Sequence, residues 1–260
     1  LSCVRVLELC APALERLCPQ GPEKGWEPFI YQYVCRLMFP ENGFAPEAGR
    51  YAQGAGFYLT VLQVLLDHER AALPFDPMLD FQFLTEEEYS LCDQAKEYRW
   101  FLAAWREEFV YELMRMGLEV TPFRALNHIA GVHYIAMTAA RGLAEAQVDV
   151  DLALISAAAA AHDVGKFGCR PRERVPYLHY YYTDQWLLGR KMEAVSHIAS
   201  NHSTWDLELE SLSVESLLLI YADFRCKRER DQEGNEVTTI FPLDQSFQVI
   251  LSKLDNVDYE

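Results

Sequence analysis

The run Ala157-Ala158-Ala159-Ala160-Ala161-His162-Asp163-Val164-Gly165-Lys166 sets an imidazole beside a carboxylate at the end of an apolar helix, with a glycine suited to a left-handed turn just after them. Two such side chains behind five alanines are costly to bury unless paired or bound to a cation. A polar helix end or a pair of metal ligands would satisfy that, and the surrounding residues weigh toward ligands. His128 precedes the pair, and His179, His202 and Asp223 follow it, each in or at the end of a different helical pattern. Helices folded together bring such residues to the centre of a bundle, where helical proteins build metal sites. Four imidazoles and two carboxylates suit one or two divalent ions such as Fe, Mn or Zn better than Mg or Ca, which favour all-oxygen shells.

Other polar residues compete for roles. His133 rivals His128, but five helical steps turn roughly 140°, so the two cannot easily face one ion. Val132, Ala136 and Ala140 continue the face of His128, which is taken as the ligand. His197 reads as a surface or supporting histidine, and His68, within Leu66-Asp67-His68-Glu69-Arg70, as solvated. Lys166 and Arg225 are the cations nearest the ligands in sequence and could clamp a phosphate oxygen. Lys166 would equally suit a helix C-terminus. Asn201, Ser203 and Thr204 read as caps around His202. Tyr177, Tyr180, Tyr181, Tyr182 and Trp186 crowd His179 and read as wall packing, with nucleobase stacking as the alternative.

The elements that must position these residues are helices, since apolar residues recur at helical spacing almost throughout. The pattern predicts helices over Ser2 to Cys18, Trp26 to Met38 and about Glu47 to Leu73. Thr85-Glu86-Glu87-Glu88 is a capping box that should open one long helix to Met116, stopped by Gly117. After Thr121-Pro122 come helical patterns from about Phe123 to Ala146, Asp149 to Asp163, Tyr177 to Leu188, Arg190 to Asn201 and Ser211 to Arg228. Val237 to Phe241 could be half of a hairpin, and Leu243 to Leu254 closes the chain as a helix. The fold class is all-α, and Ala157 to Ala161 is a helix face built for close packing.

Composition narrows the function. A chain of 260 residues, half of them hydrophobic, can bury a sizeable core. The net charge of −16 opposes a sequence-independent nucleic-acid coat. No stretch is long and apolar enough to span a bilayer, and the N-terminus lacks a secretory pattern. Seven scattered cysteines without a Cys-x-x-Cys pair suit a reducing, cytoplasmic setting. Leu1 in place of Met, and the open-ended Asp258-Tyr259-Glu260, read as trimmed ends of a longer chain. The oligomeric state stays open.

Taken together, His128, the His162-Asp163 pair and Asp223 resemble the His…His-Asp…Asp signature of the HD superfamily of metal-dependent phosphohydrolases, with Lys166 where a lysine often follows His-Asp-x-Gly. His179 and His202 resemble the extra histidines of members with a two-metal site. The segment from Leu178-His179 through Ile198-Ala199-Ser200-Asn201-His202-Ser203-Thr204 to Leu219-Ile220-Tyr221-Ala222-Asp223-Phe224 is most similar to bacterial HD hydrolases that split diadenosine tetraphosphate symmetrically. The HD-GYP cyclic-dinucleotide phosphodiesterases are a more distant likeness, because the Gly-Tyr-Pro signature is missing.

The resemblance covers roughly 123 to 228. It implies an HD-type helical bundle over 121–260 beside an N-terminal helical region, 1–120, that it leaves without a role. It implies a first ion on His128, His162, Asp163 and Asp223, and a second on Asp163, His179 and His202, with Asp163 bridging. Asp163 and Lys166 would be catalytic, and Lys166 and Arg225 would hold the substrate. Two ions can share a hydroxide that attacks phosphorus. The implied substrate is a small phosphorylated molecule, a nucleotide and foremost a dinucleoside polyphosphate. Two rivals are a module that binds a nucleotide on the same metal site as a signal, and a helical scaffold whose histidines do not converge.

Overall fold

The computed structural model describes residues 1–42, 48–73, 76, 78, 80–120, 125–202, 212–230, 232–233 and 236–257. The fold is all-α: among the described residues twelve α-helices accompany a single two-stranded hairpin. None of these helices is long and apolar enough to cross a membrane. The chain forms two compact units that interleave in sequence, the first made of 1–76, 102–126 and 170–173, the second of 77–101, 127–169 and 174–260.

The first unit holds α1 (Cys3–Leu17), α2 (Trp26–Met38), α3 (Ala48–Ala72) and α6 (Val110–Val120). Helix α1 buries Val6, Cys10 and Leu14 on one stripe, and α2 buries Ile30, Val34 and Met38 at the same spacing. The first turn of α1 is capped twice. Ser2 accepts from Arg5 N, and Glu119 of α6 accepts from Cys3 N and Val4 N. Tyr58 of α3 donates its hydroxyl to Cys3 O, so the end of α1 is tied to two other helices. Glu47, where the third helical pattern was expected to start, lies outside the described residues.

The expected single helix from Thr85 to Met116 is instead three: α4 (Glu86–Tyr89), α5 (Ala95–Glu107) and α6. The capping box is present, with Thr85 accepting from Glu88 N and Glu88 accepting from Thr85 N. It opens only one turn, because Gln94 N turns away to Asp151, the N-cap of α8 (Leu152–Ala161), restarting the helix there. Phe109, at φ 56°, then breaks α5 from α6. Gly117 does not stop α6; it is buried within the helix, which runs on to Val120.

The second unit is built around α7 (Ala125–Glu145), α8, α9 (Val175–Leu188), α10 (Glu193–Ser200) and α11 (Val214–Arg225). Phe123, Thr121, Pro122 and Ser211, expected near helix starts, lie outside the described residues. Helix α8 buries every residue from Ala153 to Ala161 except Leu154, and its alanines let α10 and α11 pack against it. Its N-terminus is fixed by Asp151, whose carboxylate accepts from Leu154 N and whose own N–H donates to Glu215 of α11. Helix α11 ends before the expected Arg228: Cys226 is already extended, and β1 (Cys226–Arg230) pairs antiparallel with β2 (Glu236–Ile240). The β-branched Val237, Thr238, Thr239 and Ile240 give that stretch its extended preference. Helix α12 (Leu243–Val257) follows.

Candidate metal centre

His162 and Asp163 leave the end of α8 together, and both are buried. Behind them a 3-10 turn, Val164–Phe167, is clamped by Thr183 of α9: its hydroxyl donates to His162 O and accepts from Gly165 N, each at 3.1 Å. Gly165 is required by this approach and not by a left-handed turn, since its φ is not positive. A Cβ there would run into His179 O and Thr183 N. Thr183 carries no sequence signal of its own, as its partners lie on another helix.

Around this turn the expected ligands come together. His128, near the start of α7, puts Nε2 3.1 Å from Asp223 Oδ1, 3.5 Å from His162 Nε2 and 3.6 Å from Asp163 Oδ2. His162 Nε2 lies 3.6 Å from Asp163 Oδ2 and 3.9 Å from Asp223 Oδ1. His179 Nε2 approaches the other oxygen of the same carboxylate, Asp163 Oδ1, at 3.5 Å. The His202 ring packs edge-on against His162 with centroids 4.9 Å apart and lies 5.6 Å from that of His179. Two groups of ligand atoms, His128–His162–Asp223 and His162–Asp163–His202, each fall within 4.8 Å.

The imidazoles are oriented by their far nitrogens. Nδ1 of His162, His179 and His202 lies 2.8, 2.7 and 2.6 Å from the carbonyl oxygens of Ala159, Val175 and Ala199. A carbonyl only accepts, so each Nδ1 carries a proton, and in the neutral ring it is Nε2 that has the lone pair. Backbone acceptors behind histidine ligands fix the ring and raise its basicity in this way. Burial pushes His162 down to about 3 and lowers His179 as well, so both stay neutral at pH 7. Burial alone would raise the two carboxyls. The Lys166 ammonium and the histidine rings instead hold Asp163 well below the usual range, and a hydrogen bond from His128 with the charge of Lys227 does the same for Asp223. Neutral nitrogen lone pairs and ionised carboxylates, converging in a buried space, fit a divalent transition-metal ion.

The cations divide their tasks. Lys166 donates to Asp163 Oδ2 inside the cluster. Arg225 is engaged elsewhere: its Nε donates to Phe241 O and its Nη1 to Tyr221 OH, bracing the end of α11 against the hairpin. Lys227, two residues on, donates to Asp223 O at 2.6 Å and is the basic residue that bears on the ligand. His133 is fully buried on α7 and faces away from the cluster onto Ser156, His197 is exposed, and Asn201 caps α10 by donating to His197 O. Ser203 and Thr204 lie outside the described residues. Tyr180 lies on the His179 ring at 3.8 Å and on His202 at 4.9 Å, and so walls the site. Glu97 of α5 is a second supporting residue without a sequence signal. It accepts from Ala194 N and Val195 N and so caps α10, the helix that leads to His202.

The chain matches no protein-family model, no curated protein and no solved structure.

Proposed function

We propose that this chain is a metal-dependent phosphohydrolase that cleaves a phosphoester or phosphoanhydride in a small nucleotide, with a dinucleoside polyphosphate as the favoured substrate. The observation that carries the reading is the Asp163 carboxylate, one oxygen turned to His128 and His162 and the other to His179. A carboxylate so placed can serve two cation positions at once, with Asp223 completing one and His202 the other. The likeness of these residues to the HD signature supports the reaction class, and the segment 178–224 supports the substrate. The scattered free cysteines fit a reducing cytoplasm.

Divalent ions held here would supply Lewis acidity toward phosphoryl oxygens and a water of lowered pKa. The chain's own residues do the rest. The backbone bonds of His162, His179 and His202 fix the neutral rings in the tautomer that leaves Nε2 for an ion. Lys166, already inside the cluster, is the cation to meet a phosphate oxygen as negative charge builds. The test is product release from diadenosine tetraphosphate, nucleoside mono- and triphosphates and cyclic dinucleotides, with added Mn²⁺. Turnover of the dinucleoside polyphosphate ahead of the others is expected. Nucleotide binding without turnover of any of them would replace the hydrolase with the regulatory module.

A further inference from the structure

We infer that His133 is a positioning residue for the metal centre, its bond to Ser156 setting the register of α7 against α8 and hence the spacing of His128 from His162; this rests on the metal-site reading above. His133 and Ser156 are both fully buried, and His133 Nε2 lies 3.0 Å from Ser156 Oγ. This hydrogen bond joins the interiors of the two helices, away from the His128–His162 contact at their ligand ends. One of them delivers His128, and the other ends at His162 and Asp163.

The chemistry of α8 makes that bond count. Its sequence, Leu152 to Ala161, contains no polar side chain except Ser156. Contacts between methyl groups are non-directional and tolerate an axial slip, whereas a buried polar pair selects one register. A slip matters here, because both residues lie close to the candidate ligands along their helices. Ser156 is six residues before His162 and His133 five after His128, roughly 9 and 7.5 Å of helix.

The proton accounting is directional too. Leu84 N donates to Tyr98 OH at 2.9 Å, and Tyr98 OH lies 3.0 Å from Ser156 Oγ. With Tyr98 OH accepting from Leu84 N, its own proton is free to go to Ser156, and that of Ser156 to His133 Nε2. The relay anchors the pair to α5. Among the described residues its last member has no other hydrogen bond: the ring packs edge-on to Phe81 and Phe83 at 5.4 and 5.5 Å, and Nδ1 is without a partner. A buried nitrogen without a partner opposes folding. A hydrocarbon at 133 would remove that cost but leave the Ser156 hydroxyl without its partner, so the two effects on stability oppose each other while the register loses its polar tie.

That contrast separates positioning from mere packing. Mn²⁺ titration and melting temperature are measured on wild type, His133→Leu, His133→Gln and Ser156→Ala. His133→Leu and Ser156→Ala should each bind Mn²⁺ at least about tenfold more weakly. His133→Leu should do so while still folded, and His133→Gln, whose amide oxygen can accept from Ser156, should recover most of the affinity. Wild-type affinity in folded His133→Leu, or losses that follow Tm across the series, would overturn the inference. If wild type takes up no Mn²⁺, the metal-site reading fails instead. Metal-free crystal structures then decide the register: a His128–His162 Nε2 separation widened from 3.5 Å in His133→Leu supports it, and an unchanged one sinks it.

Discussion

Lys166 donates to Asp163 Oδ2, the same oxygen that His128 and His162 face. An ammonium on a ligand carboxylate competes with an incoming ion for that oxygen, so the lysine does not serve ion binding. On the proposed function its use would lie in the charge that develops on a substrate phosphate. Lys166→Gln should therefore keep or tighten metal binding while lowering kcat by a factor of about 10² to 10³. Metal content and turnover measured on one preparation check this. Loss of metal with the lysine would make it a structural partner of Asp163.

The turn that carries the ligand pair has no slack. Thr183→Val keeps the shape of the side chain but leaves Gly165 N and His162 O, both interior, without their partner. Two such groups should cost about 2–4 kcal/mol in urea denaturation. Gly165→Ala drives a methyl into the backbone of α9 and should cost at least ~1–3 kcal/mol. Both variants should bind metal more weakly than wild type. A neutral Thr183→Val would mean that the clamp is dispensable.

Glu112 of α6 gives the first unit a pH signature. The residue is 3% exposed, and burial pushes its carboxyl up from 4.5 to about 7, with Asp67 adding to the rise and Arg70 and Arg106 opposing it. The folded state thus holds this proton more tightly than the unfolded chain. The contribution is fully present below about pH 4.5 and is lost as pH rises through 7, a difference on the order of 3 kcal/mol. Glu112→Gln should match wild type near pH 4.5 and exceed its unfolding free energy at pH 8. A gap that stays constant between those pH values would contradict the assignment.

What the sequence discloses and what it hides follows from range. His128, His162, Asp163, His179, His202 and Asp223 are legible because their types are costly to bury and their intervals match separate helices, and the structure brings these six together. The capping box at Thr85 is legible because its bonds span three residues. The length of the helix after it is not, because its breaks come from a tie to Asp151, far along the chain, and from the backbone of Phe109. Thr183 and Glu97 act through backbone atoms 21 and 97 residues away, which no local pattern announces. Arg225 shows the converse. A cation beside a ligand in sequence is taken up by the hairpin, since β1 begins one residue later.

The most direct test of the account is metal content per chain, by elemental analysis, on wild type and Asp163→Ala purified without chelator and then supplied with Fe²⁺, Mn²⁺ or Zn²⁺. The account predicts one to two ions on the wild type and a near-complete loss in the variant, whose folding should be confirmed by its helical circular dichroism. Wild-type protein that retains no ion under any of the three supplies, or a folded Asp163→Ala that binds them as well, would contradict it.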